Sequence, residues 1–108
     1  MDTILILDPD PEHASALERT LAGLSCRPIV CRQSREALAI LRHRAVDVIV
    51  LVATANDEWR TCMESLTAAT RQNANPPAMA CVIRGPYDGP SEKLYGARRG
   101  IRVIYEQY

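Results

Sequence analysis

The chain has 108 residues and a mass of 12.0 kDa, enough for one domain and too few for two. With 47% hydrophobic and 24% charged residues it is too apolar for a disordered chain. Thirteen basic residues balance thirteen acidic ones, which disfavours a general electrostatic grip on nucleic acid but leaves room for a local patch.

The first apolar run, Thr3–Leu7, is short and stops at Asp8-Pro9-Asp10-Pro11, as a strand buried on both faces does. Asp10 is then placed to cap a helix with Pro11 in its first turn. Ala14, Leu17, Leu21 and Leu24 recur at helical spacing, and Gly23 suits the helix end. Residues 28–31 predict a second strand. Ser34 is expected to cap a helix over 35–44, with Ala37, Leu38, Ile40 and Leu41 on its inner stripe. The longest apolar run, 46–53, predicts the central strand and is interrupted only by Asp47. A helix over about 57–72 follows, with Asp57 as its cap and Trp59, Met63, Leu66 and Ala69 or Thr70 facing inward. Residues 78–83 predict a fourth strand, 91–99 a short helix capped by Ser91 and weakened by Gly96, and 101–105 a last strand. Strand and helix alternate throughout, which predicts an α/β domain spanning 1–108, with right-handed crossovers and helices on both faces of a five-stranded parallel sheet.

No apolar stretch approaches the roughly 20 residues of a membrane span. The start lacks the basic flank and long apolar run of a secretory signal. Cys26, Cys31, Cys62 and Cys81 show no C-x-x-C spacing and read as four reduced thiols packed as small hydrophobes. A cytoplasmic location is the expectation.

Ligands of open α/β sheets sit at the carboxyl ends of the strands, so those ends are where chemistry is expected. Asp8-Pro9-Asp10-Pro11 has no glycine, two prolines without an N–H and two carboxylates, so it cannot cradle a phosphate. No G-x-G-x-x-G or G-K-[ST] motif occurs, which sets dinucleotide, flavin and P-loop readings aside. Two carboxylates there can instead hold a divalent cation.

The run Ile4-Leu5-Ile6-Leu7-Asp8-Pro9-Asp10-Pro11 resembles the opening strand and acidic turn of the receiver domains of response regulators. Val46-Asp47-Val48-Ile49-Val50-Leu51 resembles that family's third strand, and Gly100 before an apolar run its fifth. The resemblance implies a flavodoxin-like sheet of order 2-1-3-4-5 and, for the family, aspartyl phosphorylation. That chemistry uses two adjacent acids for magnesium, an aspartate nucleophile ending the third strand, a Ser or Thr ending the fourth and a lysine ending the fifth. Asp8 matches the first acid, but Pro9 stands in the second place, and Asp10 lies one residue too far along. The nucleophile position falls on Val52, the fourth strand ends Cys81-Val82-Ile83-Arg84, and the only lysine is Lys93. The expectation is a degenerate receiver that cannot be phosphorylated in the family's manner. No cofactor is expected, with Asp8 and Asp10 left as the candidate residual cation ligands.

Receivers continue past the fifth strand into a further helix, whereas the sequence given stops at Tyr108, so the expectation is either an excerpt of a longer protein or a partner surface that fills the gap. An uncovered apolar strip of sheet marks an interface. Arg84, Tyr87, Tyr95, Arg98, Arg99, Arg102 and Tyr105 gather near the fourth and fifth strands, residue types enriched at binding hot spots. The sequence thus predicts a signalling domain working by protein–protein contact, through dimerisation with a second copy of itself or docking to a signalling partner or an output domain. Two alternatives stand beside it: a small flavodoxin-fold enzyme using Cys81 or Asp8 in a strand-end pocket, or a nucleic-acid-associated module using the arginine-rich end. His13 and His43 read as surface side chains, and Trp59 as a core or rim residue.

Overall fold

The computed structural model describes residues 2–54, 59–85 and 101–106. Strands β1 (Thr3–Leu7), β2 (Arg27–Cys31), β3 (Val48–Thr54), β4 (Ala78–Arg84) and β5 (Arg102–Glu106) form one parallel sheet in the order β2-β1-β3-β4-β5. Helices α1 (Pro11–Ala22), α2 (Ser34–His43) and α3 (Trp59–Thr70) connect the first four strands in turn. This is the doubly wound α/β layout read from the strand and helix alternation, and no helix follows β5 among the described residues. The expected helix over 91–99 and the Asp57 cap lie outside the described residues.

Local chemistry accounts for most boundaries. The Asp10 carboxylate accepts the N–H groups of Glu12 and His13 at 3.0 and 3.4 Å, starting α1 as a side-chain cap does. Asp47 ends the sequence-predicted central strand early at its amino end. Its carboxylate and its own N–H clasp the backbone of Thr3 at 2.7 and 2.8 Å, so regular pairing begins at Val48. Gly85, just beyond β4, takes φ 92°, a backbone conformation that glycine adopts without steric cost.

Two local expectations are corrected. Gln33, not Ser34, is the N-cap of α2 and supplies no side-chain bond; Ser34 is already the first helical residue. Leu24 does not join the inner stripe of α1, because the helix ends two residues before it, and its side chain is 67% exposed. The bonds that close this helix end run through the backbone, with Ser25 in the left-handed region at φ 61°.

Side chains along a strand alternate between faces, and the two faces here differ in cover. Leu5, Leu7, Ile49, Leu51, Cys81 and Ile83 pack with Ala37 of α2 and with Trp59, Met63 and Leu66 of α3 into one core. The inner stripes of both helices are therefore as the periodicity predicted, with Leu38, Ile40 and Leu41 partly buried against that core. On the opposite face α1 packs against β2, and Ile4 and Ile6 are buried. Farther across that face Val48, Val50, Ala80 and Val82 are only half-buried, and Ile104 on β5 is 45% exposed.

Candidate functional site

The carboxyl ends of β1, β3 and β4 converge where the chain order reverses. Parallel pairing sets Leu7 beside Leu51 and Val52 beside Val82. This register carries Asp8, Val52 and Arg84 to one end of the sheet. Val52, at the position matched to a nucleophile, is buried at 2% exposure with a side chain that offers no oxygen.

Asp8 is fully buried, whereas the sequence reading allowed for a solvated turn. Its backbone N–H donates to Cys31 at 3.0 Å, extending the ladder with β2 by one bond and pulling the residue inward. One carboxylate oxygen accepts the Asp10 N–H at 3.0 Å, and the other accepts Nδ1 of His13 at 2.5 Å. A buried carboxylate is tolerable only with such partners. His13 is thus not a surface residue: its side chain is 11% exposed and turned onto Asp8. Its place in the first turn of α1, five residues after Asp8, is the signal that could have revealed this, because the Asp10 cap folds the helix back over the strand end.

Asp10 meets a second cation. Arg84, at the end of β4, donates from its guanidinium to the Asp10 carboxylate at 2.9 Å. That bond, first, and the backbone N–H groups of α1 hold the Asp10 carboxyl below the usual carboxylate range. The two strand-end acids therefore carry one protein cation or imidazole each. Between them stands Pro9, which contributes no ligand oxygen from a side chain. Among the described residues no three His, Cys, Asp or Glu side chains are grouped so as to hold a metal ion. Both carboxylates at this place are already engaged by protein groups, Asp8 by His13 and Asp10 by Arg84.

Of the residues expected at an interface, Arg84 is spent on Asp10, with its side chain 16% exposed. Arg102 is exposed on β5, and Tyr105 lies in the same strand, paired with Ile83 of β4. Tyr87, Tyr95, Arg98 and Arg99 lie outside the described residues. Trp59 is a core residue at 1% exposure, with the Arg60 guanidinium 4.8 Å from its ring centre.

Cys31, Cys62 and Cys81 are poorly disposed to react. Burial pushes Cys81 up to about 12 and Cys31 up to about 11, the latter also raised by Glu36 and Cys62. Cys62 is half-buried and raised by burial, partly offset by a hydrogen bond with Ser34. A thiolate is the nucleophilic form, so Cys81, wholly buried, does not serve as one near neutral pH.

Beside the acid pair, on the side of α2 and α3, lies an open cleft of about 450 Å³ floored by Leu7, Leu51, Val52 and Ala53. It is distinct from Asp8 and Cys81, neither of which lines it.

No family model and no curated protein matches the sequence. Solved structures do match the fold. A structure of the Vibrio cholerae chemotaxis protein CheY4 crystallised at low pH superposes with a TM-score of 0.71 and 20% identity, covering 99% of this chain and 86% of that one. A second structure of the chemotaxis response regulator CheY4 of Vibrio cholerae gives 0.73 and 21%, over 96% and 84% of the two chains. The C128D mutant of RitR gives 0.69 and 20%, over 98% of this chain but 46% of that one. Sheet order, helix placement and these superpositions together give the chain the fold of a response-regulator receiver.

Proposed function

We propose that this chain is a receiver-like signalling domain that is not phosphorylated on aspartate and that works by protein–protein contact. The observation that carries the reading is Val52, buried and aliphatic at the end of β3 where a receiver would need its nucleophile. Phosphoryl transfer depends on positioning and on cations that stabilise a charge-rich transition state. Here His13 is turned onto Asp8, and the Arg84 guanidinium is engaged by Asp10. The sole lysine is Lys93, before the fifth strand and not at its end. Internal neutralisation of both acids supports a site locked in one state, with no cation to bind and no phosphoryl group to receive.

The contact surface we propose is the sheet face at β3, β4 and β5. Half-buried Val50, Ala80 and Val82 and exposed Ile104 form an apolar strip there, with Arg102 at its edge. A protein partner or a second copy of the chain would bury it. Incubation with magnesium and either acetyl phosphate or beryllofluoride tests the first half of the proposal. Intact-mass spectrometry should show no adduct, and amide NMR spectra should not move; a stoichiometric adduct overturns it. Light scattering of the purified chain and of the I104D variant tests the second half.

A further inference from the structure

The cleft between α2 and α3 has no place in that reading, and its chemistry is specific. We infer that it binds a small molecule with an apolar body and a single anionic group, a carboxylate being the best fit. Its volume of about 450 Å³ falls within the range of about 300–1,000 Å³ that ligand sites occupy. Its position at the carboxyl ends of β1 and β3, where the strand order reverses, is where open α/β sheets take ligands.

The lining divides into two parts. The floor is aliphatic, from Leu7, Leu51 and Ala53, and suits an aromatic or branched body. The rim is polar, with Arg32, Ser34, Thr61, Cys62 and Ser65. Among the described residues Arg32 is the single charged side chain of the lining, and no described carboxylate accompanies it, which favours an anion. The first turn of α2 opens on the same rim beside Arg32. Its N-cap Gln33 makes no side-chain bond to it, because the Gln33 carboxamide oxygen accepts instead from Arg35 at 3.3 Å. The N–H groups of that turn are thus placed to share the anion with Arg32, while the Ser34 hydroxyl is engaged by Cys62. One arginine and one helix end match a monoanion; the mostly apolar floor leaves a free inorganic phosphate with little to contact. The inference rests on the cleft's lining alone and stands whether or not the acid pair is inert.

Indole-3-acetate, indole and inorganic phosphate serve as probes, titrated into the full ¹⁵N-labelled chain and followed by amide NMR. Indole-3-acetate should move the amides of Ser34, Val52, Cys62 and Ser65, with indole weaker by about tenfold and phosphate without saturable effect. The R32Q variant, altered at an exposed side chain, should weaken indole-3-acetate by about tenfold, the loss of roughly one charged hydrogen bond. S65W, which fills the rim from an exposed helix position, should abolish the shifts. Absence of saturable shifts at millimolar indole-3-acetate overturns the inference, as does equal binding by R32Q, equal binding of indole, or saturable binding of phosphate alone.

Discussion

Replacing His13 with alanine probes the acid pair most directly. Asp8 is wholly buried and keeps only the Asp10 N–H once the imidazole is removed. A hydrogen bond to a charged group contributes about 1.5–3 kcal/mol, and stripping one partner from a buried ion pair costs about 3–5 kcal/mol. The His13 ring is 11% exposed, so water reaches the vacated space and softens the penalty. We therefore expect H13A to lose about 2–3 kcal/mol. At about 4 °C per kcal/mol for a domain of this size, that is a fall of about 8–12 °C in Tm. Urea unfolding followed by fluorescence of Trp59, buried and the only tryptophan, gives the free energy. A double-mutant cycle with D8A isolates the pair and should show a coupling of at least about 1 kcal/mol. If H13A falls within about 0.5 kcal/mol of wild type, as ordinary surface substitutions do, or if the cycle is additive, the internal neutralisation of Asp8 is wrong.

Asp10 and the Arg84 guanidinium give a pH-dependent counterpart. The folded carboxyl titrates below its ordinary value of 3.8, so the associated stability is present above about that pH and is lost as pH falls through the lowered folded value. R84Q should raise the acid-unfolding midpoint, and D10N, which keeps the α1 cap, should remain more stable than D10A at neutral pH. Cys31 and Cys81 act at the other extreme: both are raised in the folded state, so their contribution is complete below about pH 9 and is lost as pH rises through about 11 to 12. Alkaline unfolding of C31A/C81A should therefore depend less on pH above 9 than that of wild type. Leu66→Ala, at a site with no exposure, should cost about 2–5 kcal/mol by urea titration. V52D should not restore an acetyl-phosphate adduct, because the receiver's lysine is still absent at the end of β5, and it should unfold at lower urea through burial of an unpaired carboxylate.

Alternation of apolar runs with capped, periodic segments was enough to read the layout. The Asp10 cap, the α2 stripe at Ala37 and Leu38 and the α3 stripe at Trp59, Met63 and Leu66 follow from spacing along one element, and spacing along one element is what a sequence displays. Likewise the aliphatic character of position 52 and the single lysine are facts of composition that no fold could alter. The partners of Asp8 and Asp10 were of another kind. His13 read as a surface histidine because its sequence neighbours are polar; it turns onto Asp8 only because α1 leans back over the end of β1. Arg84 read as an interface residue, yet β4 pairing brings it across 74 positions to Asp10. The cleft, too, draws its lining from two strands, two loops and two helices, and no local pattern announces it. Local periodicity decides which elements form; which charges meet at the ends of those elements is decided by how the sheet orders them, because electrostatic partners are chosen by distance in space and not by distance along the chain.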